Sequence, residues 1–456
     1  MALFFSVLAG SLTCAPPAQA QAWGYRPAEQ ATLSKRWFQA VTTCLNHANY
    51  TARLSIFSCQ AVATATIAAH LLGFSSSQSI HLAAAVRIAQ SLGLHKLSLE
   101  PAGKIRETEI GRRVWTQLCS QDWFGIPFSE SYLINPLYST SKPATHCHDH
   151  DLIALPLHVP TITSYCRFLY DIASMMPQLQ DDLISCKTQY TRYEQVLKWD
   201  ARLRSLATQG RPKFLNNVPL EPSWPTWIPW ARRALAISSS HKIIMIHRSF
   251  LSDSFTNKAF AFTNRTCLAA SKTIIKEYKL VAAENGPVLW IHQAFAIAAA
   301  IILSLHVLHQ NSETQEKAEY LQLIESVVVL LRSCQNSMIA TRGVKLLEAL
   351  LAEISEQRTI SRGLKRYRDG HAVSSFNVPD FVRSFCDGTK TTGRSQTTMV
   401  SQEPDRTYDL SDAARLESAK SAELNYYIDF APSMIENANG FENLLYLANH
   451  DFVPLH

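Results

Sequence analysis

From Val288 to Ser312 the chain carries no Lys, Arg, Asp or Glu. A stretch that uncharged has to be enclosed, either by lipid or by the protein's own interior. Trp290 to Leu308 approaches the length of a membrane-spanning helix, but His292, Gln293, Ser304 and His306 interrupt it. Its alanines also carry less transfer energy than leucines would. The segment therefore reads as the core helix of a large bundle, with no membrane contact expected. Composition agrees: only 15 of 456 residues are glycine while 47% are apolar, so the chain has few special backbone positions and much to bury.

Charged residues make up 18% and the net charge is +6, which excludes a disordered polyelectrolyte and argues against a wholly basic nucleic-acid binder. Ten cysteines are too sparse for a disulfide scaffold. The closest two, Cys44 and Cys59, are too far apart for a C-x-x-C zinc pair, so they read as reduced intracellular thiols. The apolar run Leu3 to Leu8 followed by Ala18-Gln19-Ala20 has the outline of a secretory signal, but no Lys or Arg precedes Arg26. A buried N-terminal helix is the expectation instead.

Apolar residues at Leu82, Val86, Ala89 and Leu92 form one helix face, with Gly93 as its C-terminal cap. A second helix is expected from Ile105 to Phe124, with Ile110, Val114, Trp115 and Leu118 inward and Arg106, Glu107, Arg112 and Gln117 in solvent. A turn-rich stretch from Pro127 to Pro160 follows, then helical patterns near 164–176 and 180–206. Prolines 212, 219, 222, 225 and 229 mark a connector over about 210–230. Helical periodicity resumes at about 231–248, 264–283, 288–308, 314–334 and 341–358, and no strand alternation is evident. The fold class predicted is all-α, a large multi-helix bundle over residues 1–368.

Residues 369–420, rich in Ser, Thr, Gly and Asp, are expected to be a disordered linker. Residues 421–456 have no Lys or Arg, while Glu423, Asp429, Glu436, Glu442 and Asp451 interleave with aromatic and apolar residues. That mixture has the composition of a transcriptional activation segment, with Phe441, Leu444, Leu445 and Tyr446 as the residues a coactivator groove would bury. A C-terminal helix docked on the bundle is the other reading.

Several segments together resemble a known family. Ala83-Ala84-Ala85-Val86-Arg87-Ile88-Ala89-Gln90-Ser91-Leu92-Gly93-Leu94-His95, then Arg112-Arg113-Val114-Trp115 with Asp122, then Ile246-His247-Arg248-Ser249-Phe250-Leu251 with Cys267-Leu268-Ala269-Ala270, stand in one order. They resemble the regulatory domain, or middle homology region, of fungal zinc-cluster transcription factors, over about Met1 to Arg358. Phe128-Ser129-Glu130 to Asp149-His150-Asp151, leading to Leu155-Pro156, occupies the place of that family's loop. The family-motif residues are thus Arg87, Gly93, His95, Arg113, Trp115, Asp122, His247 and Arg248. The resemblance implies a nuclear regulator, present also in the cytoplasm, that controls genes of specialised metabolism or nutrient use. It implies coactivator partners, a homodimer or partner regulator, and a small-molecule effector. Family members carry zinc on six cysteines (C-x2-C-x6-C) in a module that this sequence does not contain, so no cofactor is expected here and DNA binding by this chain is left open.

Other constellations bear on chemistry. His146, His148 and His150 alternate, and on one side of an extended loop they would supply three zinc ligands, although a solvated loop is favoured. The alternative function is a helical small-molecule-binding protein or a metal-dependent, terpene-cyclase-like enzyme, for whose magnesium site Asp181-Asp182 is the one candidate. Ser185 stands where a third Asp is needed. No G-x-S-x-G, Walker or Rossmann pattern is present, and no catalytic residue is assigned. Arg362, Lys365, Arg366 and Arg368 form a basic run that import receptors could read or that simply ends a helix. Trp224, Trp227 and Trp230 either pin a loop or form an aromatic strip.

Overall fold

The computed structural model describes residues 1–98, 104–310, 315–334, 336–364, 376–392 and 440–449. Among the described residues the regular structure is all helical, as the sequence predicts. The N-terminal run is α1 (Ala2–Cys14), packed along α3 (Pro27–His47) and α4 (Ile56–Ala69) after the short α2 (Pro17–Ala22). Local chemistry sets these boundaries. Pro27 opens α3 while Glu29 accepts the Arg26 N–H at 3.0 Å, and the Ser55 hydroxyl accepts the Phe57 N–H at the start of α4. Helix α5 (Ser75–Ser91) ends at Gly93, whose φ of 74° is left-handed, so the glycine cap read from sequence is the residue that needs the freedom.

Helix α6 (Ile105–Ser129) buries Val114, Trp115 and Leu118 as expected. Arg112 differs: it is 2% exposed and its Nε donates to the Leu97 carbonyl at 3.1 Å, so it closes a backbone acceptor instead of facing water. The next break also moves. Pro177 lies inside α7 (Ile162–Ser185), and the chain turns only before α8 (Gln189–Gln209), where Thr188 and Thr191 form a capping box. The proline connector is pinned by its tryptophans: Trp224 and Trp227 stand edge-on to the buried Phe214, and Arg232 lies over Trp224 while donating to the Phe214 and Val218 carbonyls.

Helix α9 (Ile228–His247) joins two apolar cores. Its Ile228, Ala231, Leu235 and Ile246 complete the core built by α1 and α3 to α8, and its Ile237, Ile244 and Met245 enter the second. The second core surrounds α12 (Trp290–His309), the uncharged stretch. That helix packs against α9, α11 (Ala261–Ala283), α13 (Gln315–Arg332) and α14 (Met338–Leu364), and its Ile297, Ala299, Ala300, Ile301 and Ile302 are wholly buried. The helix is apolar and long enough to cross a membrane, and here protein encloses it. Helix α14 approaches it closely at Gly343, where a Cβ would stand 2.2 Å from Ile297 Cδ1. A short helix, α10 (Leu251–Ser254), leads from α9 toward α11.

Two helices are described in the C-terminal region. The stretch expected to be a disordered linker contains helix α15 (Val378–Thr392), with Val382 buried and Phe376, Phe381 and Phe385 against the second core. Val378, Phe381, Val382 and Phe385 recur at helical spacing, a local stripe that average composition hides. Within residues 421–456, read in sequence either as a solvated activation segment or as a docked helix, α16 (Gly440–Asn449) docks on α12, α14 and α15, burying Phe441, Leu444 and Leu445. An i, i+3, i+4 stripe serves a groove on the same chain as well as one on a partner. Tyr446 belongs to this helix. Of the basic run, Arg362 lies in the last turn of α14, and Lys365, Arg366 and Arg368 lie outside the described residues, as do 393–439 and 450–456.

Candidate functional site

Five of the residues that carry the resemblance, His95, Arg113, Trp115, Asp122 and Arg248, lie around the loop between α6 and α7 or at its start, and most of them bond to it. The Asp122 carboxylate accepts the Leu133 N–H at 3.0 Å and the Ile134 N–H at 2.8 Å. Next to it the Trp123 indole donates to the Ile134 carbonyl at 2.8 Å. Two helical turns earlier, Trp115 Nε1 donates to Ser139 Oγ at 2.8 Å. His95 lies with its ring 5.8 Å from Trp115, and its carbonyl accepts the Thr140 and Ser141 N–H groups. Glu109 accepts the Thr145 N–H and receives Arg113 Nε at 2.8 Å, and Arg113 reaches on to Asp149 at 2.6 Å and Cys147 Sγ at 3.2 Å. From the far side Arg248 donates to the Pro127 carbonyl and pairs with Glu130 at 3.6 Å. A long loop whose inner N–H groups end on buried side chains is a fixed surface, not a tether.

The electrostatics follow from burial. Asp122 is raised from its ordinary value because burial disfavours its charge, and the Ile134 and Leu133 N–H groups offset part of that. Arg113 is partly desolvated, yet its bonds to Glu109 and Asp149 more than compensate and its pKa is raised. The Cys147 thiol is raised, chiefly by burial, which keeps it protonated and a poor nucleophile. Replacing Asp122 by alanine is expected to remove about 2 kcal/mol of stability, since charge-assisted bonds to two partly buried N–H groups are lost. Urea unfolding of the variant checks this, with Asp122→Asn expected to fall between it and the wild type.

The outer side of the loop is apolar. Leu137 and Tyr138 are 85% and 74% exposed, and Leu133, Ile153 and Leu157 are also exposed. Apolar side chains held out on a fastened backbone have little conformational freedom left to lose on contact with another surface. Glu109 and Trp123 were not singled out in sequence. The i, i+4 spacing of Glu109 and Arg113 was a signal for the first, whereas the partner of Trp123 is a carbonyl that no spacing reveals.

His247, wholly buried, works at a neighbouring joint: Nδ1 bonds Thr263 Oγ1 at 2.9 Å and Nε2 lies 3.4 Å from Asp200, which also holds Arg204. Burial raises the Asp200 carboxyl, but His247 and Arg204 overcome that and lower it below its ordinary value. Arg87 is exposed on α5, away from these fastenings.

The three loop histidines do not converge as an alternating strand would place them. His146 turns inward, bonded to the Pro156 carbonyl at 3.0 Å and to Thr161 at 3.2 Å, while His148 stacks on His150 outside. Among the described residues no group of three or more His, Cys, Asp and Glu could hold a metal. Asp181 and Asp182 are engaged separately, the first by the Tyr132 hydroxyl and the second by the Trp199 indole, so they do not face one ion together. A hollow lined by Phe38, Val41, Leu45, Gln78 and His81 encloses about 10 Å³, too little for a metabolite. The depression at Ala201, Arg202, Leu206 and Gly210 is open surface. No protein-family model matches the chain, and no curated protein matches it in sequence.

Proposed function

We propose that the protein is a transcription regulator of the fungal zinc-cluster type, acting in the nucleus through a helical body that displays one fastened loop to partner proteins and carries a C-terminal acidic-aromatic arm. The observation that carries this reading is convergence. His95, Arg113, Trp115 and Asp122, from two segments that resemble the family separately, hold the same loop, and Arg248, from a third, meets its start at Glu130. Residues that only resembled a pattern by chance would have no reason to share one structural task.

Docking of α16 supplies a mechanism. With Phe441 and Leu444 buried against the body, the arm is withheld from a coactivator groove, and any partner that loosens the α16 contact releases it. Contact with DNA would come from a zinc-cluster module or from a partner regulator that carries one. An effector, if it is a small molecule, would bind a conformation more open than this one.

Removal of the chain from its host, followed by transcript profiling, tests the reading. A coherent set of genes should change, and re-expression of the chain should restore it, while Asp122→Ala re-expressed at equal abundance should not. Transcripts unchanged on removal would refute the proposal.

A further inference from the structure

Helix α11 turns one face to solvent, and that face is almost wholly cationic. Arg265, Ala269, Lys272, Lys276 and Lys279 follow one another at intervals of four, three, four and three residues, the spacing that keeps side chains in one stripe along a helix. Arg265, Ala269, Lys276 and Lys279 are exposed and Lys272 is half-buried, while Cys267, Ile274 and Tyr278 on the opposite face enter the second core. The carboxylates that could neutralise the stripe are engaged elsewhere or stand at its edge. Glu277, the one acidic residue of α11, pairs with Arg233 at 3.3 Å, and Arg233 holds Glu284 as well. Glu319 of the neighbouring α13 reaches Lys272 at 3.9 Å, and that ammonium also lies 5.2 Å from the Tyr320 ring. Among the described residues no carboxylate forms an ion pair with Arg265, Lys276 or Lys279.

Four like charges held along about 21 Å of helix repel one another, and an anion of comparable length relieves that repulsion. We propose that this face of α11 binds the phosphate backbone of a nucleic acid, holding the chain to it without reading its sequence. Length and chemistry choose that occupant. About 21 Å spans about six phosphates of one strand at about 3.4 Å each, so each of the four long basic side chains can meet one. From Arg265 to Lys279 the stripe offers otherwise Ala269 and the half-buried Thr273. It therefore has no aromatic or large aliphatic side chain to enter a lipid layer or to fill a pocket in a protein partner. Lysines meet phosphates as point charges, which positions a protein on a duplex and specifies no sequence. The contact is independent of the regulator reading above, since it needs charge alone and no zinc-cluster module.

Fluorescence anisotropy of the full chain with a short DNA duplex of arbitrary sequence, over salt from about 20 to about 200 mM, tests this. The expected dissociation constant is about micromolar at the low end, whatever the sequence, and log K should fall against log salt with a slope of about −3.6, about 0.9 for each of four phosphates. Lys276→Gln/Lys279→Gln should shrink that slope by about two. Lys35→Gln/Arg36→Gln, an equal change of charge on the exposed side of α3, should leave it as it was. Should the α11 variant lose its helical circular dichroism, Lys279→Gln alone, at an exposed position, should still shrink the slope by about one. No binding at about 20 mM salt, a slope untouched in the α11 variants, or an equal loss in the α3 variant would overturn the proposal. Binding to vesicles of acidic phospholipid with none to the duplex would also overturn it, by assigning the stripe to a lipid surface.

Discussion

Acidifying the protein from pH 6.5 to pH 4 is expected to remove on the order of 3 kcal/mol of stability through His292 alone. Burial on the core helix α12 pulls this imidazole down to about 4, and neither ring nitrogen has a hydrogen-bond partner among the described residues. In the unfolded chain the same group titrates near 6.5, so between the two values the unfolded state binds more protons. The stability is therefore fully present above the unfolded value and is lost as pH falls through the folded one. His241, stacked on Phe295 at 3.5 Å, adds in the same direction, lowered well below its ordinary value by burial and then by the charges of Lys242 and Arg248. Asp122 and Asp171, both raised by burial, oppose the trend. Denaturant unfolding at a series of pH values reads the slope. His292→Leu should flatten it and at pH 7 should be neutral or stabilising, since removing an unpaired polar group relieves its desolvation. An unchanged slope in that variant would show that the histidine is not held neutral by the core.

Replacing Trp123 by alanine is expected to cost about 4 kcal/mol, by lost burial, the residual cavity and the orphaned Ile134 carbonyl. The side chain is 1% exposed, lies 5.5 Å from the Tyr170 ring, and ties the loop to α6 where Asp122 does. The loop should loosen before the bundle unfolds, so trypsin should cut at the exposed Lys142 sooner than in the wild type. Trp123→Phe should keep most of the packing and lose the bond to Ile134, a change of about 1 kcal/mol. A loss under about 1 kcal/mol in Trp123→Ala would mean the loop stands without its fastening.

The sequence made the helices legible where one face was apolar over several turns, as at Val86, Ala89, Val114 and Leu118. It misled where two helical patterns met: the break expected between 176 and 180 falls within α7, which runs on through Pro177, and Thr188 is what starts the next helix. It was silent where composition averaged out a local stripe, as in α15. The motif residues were visible, and their task was not, because the partners of Asp122, Trp115 and Arg113, the Leu133 and Ile134 N–H groups, Ser139 and Asp149, lie on a loop whose path no spacing encodes. Arg112 shows the same blindness: a charged residue on an amphipathic helix reads as solvent-facing until the Leu97 carbonyl is seen beside it. The docked α16 was one of two readings open in sequence, since the stripe Phe441, Leu444, Leu445 states only that some groove is wanted.

If residues 421–456 activate transcription, the docking of α16 on the helical body should restrain them. Tethering residues 421–456 alone to an unrelated DNA-binding domain should drive a reporter strongly, and alanine at Phe441, Leu445 and Tyr446 should abolish that output. The full chain tethered in the same way, at equal abundance, should give several-fold less, because α16 is docked. A silent isolated segment, or a full chain as active as the segment, would contradict the account.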